Sequence, residues 1–192
     1  MTSGRLEAFS DGVLAVIITI MVLKLNLPEG VSINALKPVL PEILTYILSF
    51  IYVGIYWNNH HHMFQVTKRV RGGVLWANLH LLFWLSLIPF ATDWMGENNF
   101  AQWPTVIYGI VLFMAAFAWR ILQRIILKKN KDSLLASAIK RPIKEWVTFF
   151  LYIAGILLTF VQHWIGVGFY GAAALIWLAP DRRIERTVEE ES

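Results

Sequence analysis

The chain has 192 residues, of which 57% are apolar and only 16% are charged, and it contains no cysteine. Because an ordinary soluble domain carries about 25% charged residues, this composition excludes disorder and a soluble bundle with a solvated outer face. The mean hydropathy of +0.54 indicates a membrane protein. Without cysteine there is no disulfide, no thiolate nucleophile and no cysteine-based metal site.

Six apolar segments follow one another, and we interpret each as a transmembrane helix, which needs about 20 apolar residues. The predicted spans are 4–27, 41–64, 74–94, 104–127, 143–161 and 164–179. Proline cannot continue a helix but suits its first turn, so Pro28 ends the first span and Pro41, Pro104 and Pro142 open later ones. The sequence therefore predicts an all-α membrane protein with six transmembrane helices per chain.

The last two spans are the least clearly separated. The apolar stretch from Trp146 to Ala179 is too long for one helix, so we place a turn at Gln162, His163 and Trp164. A short surface helix is predicted around residues 134–139. Residues 1–180 are expected to form one transmembrane domain, with the N-terminal run as the first span and not a cleavable signal. A polar cytoplasmic tail is expected at 181–192.

The positive charges predict the orientation. Fifteen of the 17 lysine and arginine residues fall on one side of the six spans, and only Lys24 and Lys37 fall on the other. By the positive-inside rule both termini are cytoplasmic, and a cell-membrane location follows. Trp94, Trp103 and Trp164 fall at the predicted outer boundary. The net charge of +4 then reflects topology, and no nucleic-acid partner is predicted.

A few polar residues interrupt the apolar segments. Asp11 begins the first span, either as an interfacial carboxylate favoured by the helix dipole or as a functional group. The run His60, His61, His62 is weak evidence for a metal, because adjacent helical residues point about 100° apart. Trp57 and His60, three residues apart, are expected to share a face and to form a buried hydrogen-bonded cluster with Asn78 of the next span.

The first span also carries an apolar stripe at helical spacing, formed by Val16, Ile20, Leu23 and Leu27 with Thr19 at its edge. Such a stripe is either a packing or lipid-facing surface or, in several copies around an axis, a pore wall that closes by dewetting. Lys24 would repel cations at that axis, and we expect it to turn away. No phosphate loop, nucleophile elbow or TVGYG filter is present, so no catalytic residue, enzyme activity or cofactor is predicted.

Residues 5–11, RLEAFSD, and the following GVLAVIITIMVL closely resemble the first helix of the transmembrane protein 175 family of potassium-permeable channels. Trp57-Asn-Asn-His60 with Met63-Phe64-Gln65, and Asn78 with Pro89-Phe90, also resemble the family. The similarity covers residues 5 to about 90, and its most specific part is the arginine spaced ahead of Phe-Ser-Asp.

The resemblance implies a homotetramer in which the first helix lines a central pore. It implies a potassium-selective cation channel without a re-entrant filter, whose partners are membrane lipid, further copies of the chain and permeating K⁺. Val16 falls on the family's narrow position, where relatives typically carry Leu or Ile, and Thr19, Ile20 and Leu23 would form further rings. The implied structural lock comprises Arg5, Phe9, Ser10 and Asp11, with Trp57, His60 and Asn78 as partners.

Two other functions compete with a channel. One is a proton-coupled or proton-permeable carrier in which Asp11 and a histidine relay the proton. The other is a membrane scaffold that transports nothing. A channel requires a symmetric assembly with the first helix at its axis, whereas a carrier requires a closed substrate site between helices.

Overall fold

The computed structural model describes residues 3–65, 67, 70, 72–129 and 143–178, and within these ranges its regular structure is entirely helical. Within these ranges seven α-helices follow in chain order: α1 Ser3–Leu23, α2 Leu40–Gln65, α3 Gly72–Ser86, α4 Ile88–Glu97, α5 Gln102–Lys129, α6 Ile143–Thr159 and α7 His163–Leu178. The connection from α1 to α2 contains a 3-10 turn, Ile33–Leu36. The predicted surface helix and polar tail lie outside the described residues.

The third predicted span is divided into α3 and α4 at Leu87. Pro89 has no backbone N–H to donate to the carbonyl of Leu85, which removes one helical hydrogen bond. The Leu87 N–H donates to the Trp84 carbonyl at 3.2 Å, and the Ala91 N–H donates to the Leu87 carbonyl at 3.1 Å, so the helical path resumes at once. Gly72–Glu97 therefore remains one apolar segment of 26 residues.

Among the described residues, four segments are long and apolar enough to cross a membrane: Ser3–Leu23, Leu40–Gln65, Gly72–Glu97 and Gln102–Lys128. The two remaining helices are shorter, with 17 residues in α6 and 16 in α7. At 1.5 Å per residue these are roughly 24–26 Å long, against a hydrocarbon core of about 30 Å. The turn between them occupies 160–162, and His163, predicted within the turn, begins α7.

The first helix ends earlier than predicted, at Leu23 instead of Leu27. The backbone N–H of Asn26 donates to Glu42 Oε2 at 3.0 Å, and its side-chain amide donates to Glu42 Oε1 at 3.2 Å. These two bonds direct the chain away from the helix axis and onto the first turn of α2. Leu27 consequently lies beyond the helix and does not extend its apolar stripe.

Helix α5 lies at the centre of the bundle and packs against α3, α4, α6 and α7. Its inward positions are almost completely buried, among them Tyr108, Leu112, Ala115, Ala118 and Leu122. Glycines allow close approach at the α5–α6–α7 junction, because a Cβ at Gly109 or Gly155 would collide with the Tyr170 ring. The helix α1 packs on the other side of the molecule, against α2, α3 and α4.

Candidate functional site

Helix α1 has two chemically different faces. Its buried positions recur at helical spacing, and they are Leu6, Ser10, Leu14, Ile17 and Met21. The opposite side is exposed and includes all four predicted pore residues, which are Val16, Thr19, Ile20 and Leu23 and are here called the outward stripe. The exposed fraction is 56% for Val16 and 77% for Leu23. The stripe is therefore available to another copy of the chain, to lipid or to an aqueous path.

The only hydroxyl of the outward stripe has a defined hydrogen bond. Thr19 Oγ1 donates to the carbonyl of Ala15 one turn earlier, at 2.8 Å. Because the hydroxyl proton is used in this bond, the oxygen keeps its lone pairs as acceptors. Thr19 can therefore present an oxygen to a cation without losing its own helical contact.

Behind the stripe, three helices are joined by a buried polar cluster formed by Ser10, Asn78 and His60. The Asn78 amide donates to Ser10 Oγ at 2.9 Å, and Ser10 Oγ donates to the Leu6 carbonyl at 2.9 Å. Asn78 Oδ1 lies 2.8 Å from His60 Nε2, and because an amide oxygen only accepts, this histidine carries its proton on Nε2. The cluster thus links α1, α2 and α3; the sequence alone predicts a contact between His60 and Asn78, and Ser10 was expected here only through the family resemblance.

Trp57 does not belong to this cluster, which corrects the expectation that it shares a face with His60. Its side chain is 48% exposed, whereas that of His60 is 1% exposed. Three residues on a helix leave about 60° between side chains, which suffices to put one inside and one outside. The indole instead lies nearly parallel to the ring of His61, with centroids 6.2 Å apart.

The other residues of the implied lock are also outside the cluster. Arg5 and Phe9 are exposed, and neither side chain has a hydrogen bond or ion pair within the described part of the chain. Asp11 Oδ1 is enclosed and accepts no hydrogen bond from the described residues. Of the four lock residues on α1, only Ser10 is hydrogen-bonded to the cluster with Asn78 and His60 in the described part of the chain.

A second link between α1 and α2 was not anticipated from the sequence. Glu7 Oε1 lies 2.6 Å from His61 Nδ1, and the Gln65 amide donates to His61 Nε2 at 2.8 Å. Neighbouring histidines thus serve different contacts, because His60 binds Asn78 and His61 binds Glu7. No group of three metal-ligating side chains occurs among residues that the structure describes. The sequence did contain a signal for this contact, because Glu7 is an acidic residue one helical turn before Asp11 in a largely apolar helix.

At the other end of α1, Lys24 meets an acidic residue of α4. Its Nζ lies 3.3 Å from Asp93 Oδ2. The ammonium is therefore directed towards the bundle, in keeping with the expectation that it turns away from the stripe. Asp93 was not identified from the sequence, although an acid within an apolar span is a signal that a partner is close.

Comparisons with known proteins agree with this architecture. The family described as endosomal/lysosomal potassium channel TMEM175 matches residues 5–89. A Chryseobacterium protein named potassium channel HX13_20290 is 57% identical over 191 residues, which cover 99% of this chain and 100% of that protein. The crystal structure of a lysosomal potassium-selective channel TMEM175 homolog from Chamaesiphon minutus has a TM-score of 0.81 at 24% identity, covering 93% of this chain and 97% of that one.

A vertebrate relative matches a smaller part of its length. The human endosomal/lysosomal proton channel TMEM175 is 35% identical over 117 residues, which are 54% of this chain and 23% of the human protein. The near full-length match to the Chryseobacterium protein assigns the family without relying on the shorter similarities. The chain belongs to the TMEM175 family, which is a family of ion channels and not of enzymes.

Proposed function

We propose that this protein is a potassium-selective cation channel in which four copies place the outward stripe of α1 around a central pore. The observation that carries the proposal is the arrangement of α1, whose Ser10 and Glu7 are bonded to neighbouring helices while Val16, Ile20 and Leu23 stay exposed. One copy is too small to enclose a pore, so the pore wall requires several. Bacterial relatives named potassium channels support K⁺ as the ion.

Selectivity would follow from the chemistry of the rings and not from a re-entrant carbonyl filter. Apolar walls at Val16, Ile20 and Leu23 offer no oxygen, so a cation must keep or replace its hydration shell as it passes. Potassium gives up water more readily than sodium, and a tight apolar ring therefore favours K⁺ to a modest extent. Four Thr19 oxygens would replace part of the lost hydration, and the same apolar rings would close the path by dewetting.

The polar residues behind the stripe would act as supports and not as ion ligands. The bond from Asn78 to Ser10 fixes the rotation of α1, because turning α1 by one residue would leave the buried Asn78 amide N–H without its acceptor. Arg5 and Phe9, exposed in one copy, are proposed to contact neighbouring copies. Asp11 and Trp57 would complete the same supporting layer at the cytoplasmic end of the pore.

The same proposal places the channel in the cell membrane with both termini in the cytoplasm and lipid around its outer helices. The positive-inside rule supports this orientation. Potassium is the permeating ion, and no cofactor takes part. The described residues offer no group of three ligands for a bound metal.

The decisive experiment uses purified protein in vesicles, with K⁺ and Na⁺ flux measured in the absence of a proton gradient. We expect passive flux that is larger for K⁺. Because the chain has no cysteine, Val16→Cys supplies unique thiols that would surround the axis, and Cd²⁺ should then block the flux. Leu175→Cys, exposed on α7, is the matched control and should stay insensitive. Absence of K⁺ flux from correctly folded protein would reject the channel.

A proton pathway is the second candidate. Asp11 Oδ1 and His60 Nδ1 are both enclosed and have no hydrogen-bond partner in the described ranges, and vertebrate relatives are named proton channels. Vesicles that carry a pH-sensitive dye test this alternative directly. Proton flux that disappears in Asp11→Asn while K⁺ flux persists would favour it. If Asp11→Asn reduces the K⁺ flux and the H⁺ flux equally, the role of Asp11 is structural.

A further inference from the structure

Lys24 lies on the same face of α1 as the outward stripe, just beyond its last residue, Leu23. Its backbone N–H donates to the carbonyl of Ile20 at 3.2 Å, so the helical path continues one residue beyond Leu23. Residues four apart on a helix lie above one another, which places the Cβ of Lys24 one turn beyond Ile20 on the same face. If Ile20 lines the pore, Lys24 begins its side chain at the outer mouth, the end of the pore beyond Leu23.

The end of the Lys24 side chain is held elsewhere. Nζ lies 3.3 Å from Asp93 Oδ2, and the lysine side chain is 61% exposed whereas that of the aspartate is 20% exposed. The other nearby carboxylate is already engaged, because both oxygens of Glu42 accept hydrogen bonds from Asn26. Asp93 is therefore the acidic group among the described residues that forms an ion pair with Lys24, while Glu42 keeps its own negative charge and binds Asn26.

We propose that Asp93 is a positioning residue for permeation, which holds the ammonium of Lys24 off the outer mouth and cancels its charge there. This inference rests on the proposed tetrameric channel. An exposed ion pair contributes little to stability, so its main effect would be on the potential that an entering cation meets. In a tetramer, loss of Asp93 would release four positive charges around one opening, and such charges slow cation entry in a salt-dependent way.

The test is K⁺ current through reconstituted channels at two ionic strengths, at which the screening length is about 30 Å and about 3 Å. We expect Asp93→Asn to lower the current roughly 3- to 10-fold in about 10 mM KCl and to leave it nearly unchanged in about 1 M KCl. Asp93→Glu should retain the wild-type current. Glu97→Gln removes an exposed charge one turn further along α4 but frees no ammonium, so it should lower the low-salt current clearly less than Asp93→Asn does.

The double variant Lys24→Gln/Asp93→Asn tests whether the effect requires Lys24, whereas the simple loss of a negative charge is tested by comparing Asp93→Asn with Glu97→Gln. If the freed ammonium causes the effect, the double variant regains the wild-type current at low salt. A reduction that persists without Lys24, or that is equal at both salt concentrations, would overturn the inference. If the wild type conducts K⁺ and Asp93→Asn carries the same low-salt current, the role of Asp93 is rejected but the proposed channel is not. If the wild type itself does not conduct, the proposed channel is rejected.

A second measurement avoids any effect on folding. Lys24→Cys carries the only thiol of its chain, and a cationic thiol reagent restores a positive charge after assembly. The reagent should reduce low-salt current several-fold more in Lys24→Cys/Asp93→Asn than in Lys24→Cys. A neutral reagent of similar size should act equally on both. Equal inhibition by the cationic reagent would contradict a role for Asp93.

Discussion

The side-chain amide of Asn78 donates a hydrogen bond to Ser10 Oγ at 2.9 Å and thereby joins α3 to the buried face of α1. Both side chains are completely buried. The bond is one helical turn or more from the exposed residues proposed to line the pore, yet it sets the direction in which they point. The support and the proposed permeation path are thus opposite faces of one helix.

Replacing Ser10 with alanine should destabilise the protein by about 1–2 kcal/mol, because one N–H of Asn78 loses its buried acceptor. The measurement is the thermal midpoint of the detergent-solubilised protein. Ser86→Ala is the matched control, since Ser86 is exposed and donates only to Phe83 of its own helix. If Ser10→Ala and Ser86→Ala lower the thermal midpoint equally, the bond between Ser10 and Asn78 contributes nothing to stability.

The glycines of α7 provide a paired test of close packing. A Cβ at Gly166 would collide with Thr159 Oγ1, which donates to the Gly155 carbonyl at 2.7 Å and so cannot move freely. We expect Gly166→Ala to lower stability by about 1–3 kcal/mol, as overpacking does.

Gly168 is the control for this substitution. Nothing lies within 4 Å of a Cβ built at that position, and alanine is the better helix former by about 1 kcal/mol. Gly168→Ala should therefore keep or raise the thermal midpoint. Similar behaviour of both alanine variants would contradict the packing described for α6 and α7.

The two faces of α1 were predictable because helical periodicity alone separates Leu14 and Ile17 from Val16 and Ile20. The contact between His60 and Asn78 was predictable as well, because polar groups in apolar helices require a partner and few are available. Ser10 was placed beside them only by the family resemblance. The break at Leu87 was missed, although Pro89 was visible, because proline at a helix start and proline within a span look alike in hydropathy.

What the sequence left open depends on how the helices are rotated against one another. Trp57 and His60 straddle the boundary between exposed and buried surface on α2, and spacing does not say on which side each one falls. Glu7 with His61 and Lys24 with Asp93 are pairs between different helices. Their formation requires the register of α1 against α2 and α4, which no local pattern contains.

Leu23 is the most exposed apolar residue of the outward stripe. If it forms an apolar ring, Leu23→Ser should wet the path and raise K⁺ conductance, by about 3-fold or more. Leu175→Ser makes the same change on the exposed side of α7 and should leave conductance unchanged. Single-channel recording of both variants distinguishes them, and an unchanged current in Leu23→Ser would place Leu23 outside the pore.

Thr19 allows the contribution of oxygen to selectivity to be separated from that of ring size. Its hydroxyl donates to the Ala15 carbonyl at 2.8 Å, which leaves the lone pairs available to a partly dehydrated cation. Thr19→Val keeps the shape of the side chain but removes the oxygen, so the K⁺ to Na⁺ permeability ratio should fall about 3-fold or more.

Thr19→Ser keeps the oxygen and loses a methyl group, and it should retain most of the discrimination. Reversal potentials under mixed K⁺ and Na⁺ gradients give the ratio for each variant. If valine preserves the ratio and serine lowers it, the width of the ring and not its oxygens discriminates between the ions. Selectivity would then have to arise from Val16, Ile20 and Leu23 alone, because no other hydroxyl lies on the outward stripe.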